Sequence, residues 1–197
     1  MQSLSPSPPE FILDAFADPA SVRDVVKGIL HTIFFHRFIP NLLPYTREVL
    51  DLTLPYVNDV ELETMIEQRA AALVRQLESE RSSTNSLTSG GGGRGQLNVQ
   101  FFEKRRRSGF FRGDEEVCWE CWTLKVTVAE PRTETERAKV RKAMEQTLLT
   151  TVMKIIAFTN AHKDHIPLIT GTPATPFPYQ ININQNKGGW ATRMGIY

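Results

Sequence analysis

At 197 residues, with 41% apolar and 23% charged side chains, the chain has the size and composition of one globular domain with a sizeable core. Its formal net charge of +1 excludes a global field that would draw it to nucleic acid or membrane, so any such attraction must be local. No apolar run reaches the roughly 18–20 residues that cross a bilayer, the Ser- and Pro-rich start lacks a signal-peptide pattern, and two cysteines predict a reducing, cytosolic or nuclear setting.

Residues 1–9 read as a disordered tail, and residues 10–197 as the folded domain. Phe11 to Phe16 reads as a first strand, and Asp18-Pro19 as the cap of a helix. Val22, Val25, Val26, Ile29, Leu30, Ile33 and Phe34 recur at helical spacing up to Arg37, apolar around much of the girth, which predicts a central position. The leucines of Glu48 to Leu54 alternate as a half-buried strand requires. Asn58 with Glu61 has the spacing of a capping box for a second helix, whose apolar face is Leu62, Met65, Ile66, Leu73, Val74 and Leu77.

Residues 82–95, with four consecutive glycines at 90–93, read as a flexible Gly/Ser-rich loop. Gln96 to Glu103 and Val117 to Ala129 then read as two strands joined by a basic, aromatic tip. Thr133 and Glu136 open a third helix with Val140, Met144, Leu148, Val152, Ile155 and Ile156 on its buried side. Alternation at Tyr179, Ile181, Ile183 and again at Trp190, Thr192, Met194, Ile196 predicts a C-terminal β-hairpin. Strands and helices mix without regular βαβ order, so the expected class is α+β.

The tip is the most telling feature. Phe110 and Phe111 sit side by side between glycines, after the basic run Lys104, Arg105, Arg106 and Arg107. A loop tip has little core of its own, so the rings either fold back onto the sheet or await a partner. The basic run allows a second reading, in which the tip binds membrane or nucleic acid. One short patch on a near-neutral protein makes few phosphate contacts, so no nucleic acid is expected as a partner.

Other constellations carry less. Cys118 and Cys121 have redox or metal spacing, but residues three apart on a strand point to opposite faces, and no second pair completes a zinc site. His31 and His36 lie off a common helical face, and His162 with His165 suits a helix end. The glycine run lacks the ending and the strand-to-helix order of a phosphate loop. No nucleophile–base–acid arrangement stands out, so neither a catalytic site, a cofactor nor a metal is expected.

Gly28-Ile29-Leu30-His31-Thr32-Ile33-Phe34-Phe35-His36-Arg37 resembles the corresponding helix of the autophagy-related protein 101 family. So does the stretch from Leu97 to Val128, with Trp119-Glu120-Cys121-Trp122-Thr123-Leu124-Lys125-Val126, followed by Asn160-Ala161-His162 and Pro178-Tyr179-Gln180-Ile181. The resemblance implies a single HORMA domain: a sheet covered on one face by three helices, with a C-terminal β-hairpin. It implies a non-catalytic adaptor of the autophagy-initiation kinase complex, cytoplasmic and at the preautophagosomal structure. Such an adaptor binds and stabilises the HORMA domain of autophagy-related protein 13 as a heterodimer. The family's tip carries a Trp-Phe pair thought to recruit downstream factors, for which Phe110 and Phe111 are the nearest equivalents here.

Overall fold

The computed structural model describes residues 7–37, 43–83, 93–106, 114–169 and 177–184. β1 (Glu10–Ala17) buries Phe11, Leu13, Ala15 and Ala17 on one face. It pairs in parallel with β5 (Asp114–Val128), from Glu10 opposite Cys121 to Ala17 opposite Val128. β5 runs antiparallel to β4 (Arg94–Arg106), which pairs antiparallel on its other side with β6 (Tyr179–Asn184). The resulting four-stranded sheet has the order β1-β5-β4-β6.

One face of the sheet is apolar: Leu13, Leu97, Val99, Phe101, Trp122, Leu124, Val126 and Ile181 are all buried there. The opposite face carries Gln96, Asn98 and Gln100 of β4, Lys125 and Thr127 of β5, and Gln180 and Asn182 of β6. A sheet with this division needs cover on one side only. α1 (Val22–Arg37), α2 (Val60–Ser83) and α3 (Glu134–Ala161) supply it. α1 lies centrally and touches both other helices; α2 covers β4 and β6, and α3 covers β1. The domain is α+β, with the predicted central helix in place.

Local sequence accounts for the helix starts. The Ser21 N–H donates to Asp18 Oδ1 at 2.8 Å ahead of α1. Thr133 and Glu136 form the reciprocal capping box predicted for α3. At α2 the cap falls one residue later than the Asn58 spacing suggests. Leu62 N–H donates to Asp59 Oδ1 at 2.8 Å, so Asp59 satisfies the exposed first turn.

Two other expectations are corrected. The stretch 48–54 is not one strand but the turn of a hairpin, β2 (Tyr45–Val49) against β3 (Leu52–Tyr56). Leu50 holds a left-handed φ of 54° in that turn, a conformation a leucine does not advertise. The hairpin packs on α1 at Gly28, where an added Cβ would lie 2.9 Å from Leu54 Cδ1 and 3.1 Å from Val49 Cγ2. The Gly/Ser-rich connection is also shorter than 82–95, because α2 runs to Ser83 and β4 starts at Arg94. Gly95 belongs to the strand: a Cβ there would meet Leu73 Cδ1 at 2.8 Å, so the glycine serves close helix-to-strand approach. β6 matches the first strand of the expected C-terminal hairpin, while 190–196 lie outside the described residues.

Candidate functional site

β4 and β5 outrun their neighbours. β6 pairing ends at Phe101 opposite Tyr179, and β1 pairing ends at Glu10 opposite Cys121. Beyond that point, apart from the Phe102 N–H donated to the Pro178 carbonyl at 2.8 Å, Phe102–Arg106 and Asp114–Cys118 pair with each other and form a two-stranded arm. Phe110, Phe111 and Arg107 lie outside the described residues. Lys104 and Arg105 are exposed on the arm, facing Glu116 and Glu115, while Arg106 stands opposite Asp114. Arg105 also pairs with Glu103. Opposite charges across a strand pair attract and lower the arm's net field. The basic run was legible in sequence; the acidic run that answers it becomes apparent only from the register.

At the base of the arm the register slips between Phe101 and Phe102, leaving Trp119 as the extra residue of a β-bulge. Both Trp119 and Glu120 are buried as a result. The slip also overturns the reasoning about the cysteines. Cys121 stands opposite Gln100 and Cys118 opposite Phe102, two residues of the same outward parity, so the thiols share a face. Burial pushes both thiol pKa values up, that of Cys121 to about 11 with help from the Glu10 charge, so both stay protonated and weakly nucleophilic.

Glu120 is 0% exposed and anchors a polar network inside the apolar layer. Arg37, itself 2% exposed at the end of α1, donates through Nε to Glu120 Oε1 at 2.8 Å and Oε2 at 3.0 Å. Trp122 Nε1–H donates to Oε1 at 2.5 Å, and His165 Nε2 meets Oε2 at 2.7 Å. Arg37 also donates to the His162 carbonyl at 3.1 Å. The network therefore ties together α1, β5 and the chain that follows α3. His162 ends α3 through its backbone N–H to the Phe158 carbonyl, whereas His165 serves the network rather than a helix end. The sequence signal was an acid on the same strand parity as Trp122, beside a His-Arg pair ending an apolar helix.

α3 leaves an apolar face uncovered. Leu149 and Met153, one turn apart, are 48% and 55% exposed, next to the buried stripe of Leu148, Val152 and Ile155. Two exposed apolar side chains side by side on a long helix leave area that a partner could cover. The periodicity of α3 identified its buried side but not this second one. Among the described residues no group of three or more His, Cys, Asp or Glu side chains could hold a metal, and no helix is long and apolar enough to cross a membrane.

Residues 14–173 match the model of the family described as autophagy-related protein 101. The chain belongs to the autophagy-related protein 101 family. Its relatives of that name include one from Arabidopsis thaliana, 25% identical over 82% of this chain and 80% of the relative. The protein from Bos taurus is 26% identical over 77% of this chain and 72% of its own length, and that from Schizosaccharomyces pombe 24% over 86% and 83%. Membership of the autophagy-related protein 101 family gives the chain a role in autophagy. The matched region contains the arm, α3 with its exposed pair, and every member of the Arg37–Glu120 network.

Proposed function

We propose that the chain is a non-catalytic HORMA-domain adaptor of the autophagy-initiation kinase complex, acting in the cytoplasm and at the preautophagosomal structure. It binds and stabilises the HORMA domain of autophagy-related protein 13 as a heterodimer, and it recruits downstream factors through Phe110 and Phe111. The family match over residues 14–173 carries this reading. The geometry supports it in two places. Leu149 and Met153 offer apolar area for a protein contact, and β4 and β5, between which Phe110 and Phe111 fall in the sequence, extend past the strands that flank them. The competing electrostatic reading, a membrane- or nucleic-acid-binding tip, is weakened by the acids opposite Lys104, Arg105 and Arg106.

Co-purification with the HORMA domain of autophagy-related protein 13 tests the reading. A heterodimer is expected whose melting temperature exceeds that of either partner, since a ligand at 100-fold its Kd adds about 2.7 kcal/mol. Replacing Leu149→Glu with Met153→Glu weakens that dimer by roughly tenfold or more without lowering the melting temperature of the free chain. Phe110→Ala with Phe111→Ala keeps both folding and the dimer and loses recruitment. Failure of the wild-type pair to associate refutes the adaptor reading. A large loss of melting temperature in the phenylalanine double variant refutes the exposed tip.

A further inference from the structure

The register slip at Trp119 does more than bury two side chains. Trp119 and Glu120 both turn inward, so Cys118 and Cys121 become next neighbours on the sheet face opposite the helices. Both thiols are free and half-buried. They stand opposite Phe102 and Gln100, which are two residues apart on β4. At about 3.4 Å per residue, that register sets the two cysteine Cα atoms about 7 Å apart with their side chains side by side. The Cys118 thiol donates only a long bond, to the Glu120 carbonyl at 3.5 Å. Glu10 stands beside Cys121 on β1, but its Oε1 accepts from the Thr123 hydroxyl at 2.7 Å.

Distance decides what such a pair can do. A disulfide usually needs Cα atoms about 4.4–6.8 Å apart, so this spacing is long for one. A metal ion between the sulfurs spans more. Two metal–thiolate bonds of about 2.3 Å in line put the sulfurs about 4.6 Å apart, so each leans about 1.2 Å toward the other, within the reach of a χ1 rotation. The number of ligands then selects the ion. Structural zinc takes four ligands, iron–sulfur clusters take four cysteines, and calcium and magnesium take oxygens. Among the described residues no third His, Cys, Asp or Glu completes such a group. Monovalent copper is soft, favours thiolate, and is satisfied by two sulfurs in line.

We propose that Cys118 and Cys121 form a two-coordinate Cu(I) site on the outer sheet face, at the base of the arm. On binding, two S–Cu bonds form, both thiol protons pass to solvent and no electron moves, so the neutral dithiol becomes a singly negative site. The ion braces the bulge from which the arm springs. The site is independent of the adaptor reading and of the contact proposed on α3.

Anaerobic titration of the wild-type chain with Cu(I), in competition with bicinchoninate, tests the assignment. One ion per chain is expected to be withheld from the chelator, with two sulfur neighbours and no others in its X-ray absorption spectrum. Cys118→Ser and Cys121→Ser each abolish retention. Their melting temperatures without copper report whether the fold survives, and the wild-type spectrum stands without either variant. Copper is also expected to raise the melting temperature of the wild type, because the folded strand holds the thiols at bridging distance and the unfolded chain does not. Retention with an unchanged or lowered melting temperature means that unfolded thiols bind equally well, and overturns the proposal. Retention by a serine variant, a nitrogen or oxygen neighbour in the spectrum, or loss of the ion to the chelator overturns it too.

Discussion

Glu120→Gln provides a sharp test of the buried network. The replacement keeps the shape of the side chain but leaves the Arg37 guanidinium, 2% exposed, without a counter-charge. Breaking a buried ion pair from one side costs about 3–5 kcal/mol. For a domain of this size that lowers the melting temperature by roughly 10 °C. Arg37→Met leaves the opposite orphan, a carboxylate held only by Trp122 and His165, at a similar cost. The double variant removes both charges, so the cycle should show a coupling of about 1.5 kcal/mol or more. Urea unfolding of the four proteins measures it. Hydrogen exchange gives a local readout at the Ile166 N–H, which donates to the Lys163 carbonyl at 3.1 Å within the segment the network anchors. Faster exchange is expected there in both single variants. Additive single costs together with unchanged protection at Ile166 would refute the claim that these side chains act as one unit.

Two further outcomes follow from the same interior. Burial, helped by the Arg47 and Lys27 charges and opposed by Glu63, lowers the His31 pKa to about 4 from its ordinary 6.5. Between those values the unfolded chain binds the proton that the folded one refuses. Stability from this residue is therefore intact above pH 6.5 and falls by about 3 kcal/mol as pH drops to 4. Comparing the pH slope of unfolding in wild type and His31→Phe checks this, and identical slopes count against it. Gly28→Ala pushes a methyl to within 2.9 Å of Leu54 Cδ1 and is expected to cost about 1–3 kcal/mol in urea unfolding; an unchanged midpoint would mean the hairpin yields freely.

Much of the scaffold was legible because it rests on local pattern. The girth of α1, the alternation of β1, the capping box of α3 and the order of elements need only neighbours along the chain. What escaped depends on distant residues or on backbone that side chains conceal. Arg37 and Glu120 stand 83 positions apart. The turn at Leu50 uses a residue type with no turn preference, so its hairpin passed for one strand. The outward pairing of Cys118 and Cys121 follows from a single extra residue at Trp119, which shifts every parity beyond it. The tip aromatics stood out from their place between glycines after a basic run, the partner was named from resemblance, and Leu149 with Met153 entered only when helix packing showed which apolar side chains were left outside.

Because β1 and β6 both stop short, the described strands of the arm, 103–106 and 114–118, take their ladder from each other and not from the flanking strands of the body that holds them. Selection can rewrite the letters of that arm while the interior stays as it is, and so retune what the domain attracts without re-solving how it folds.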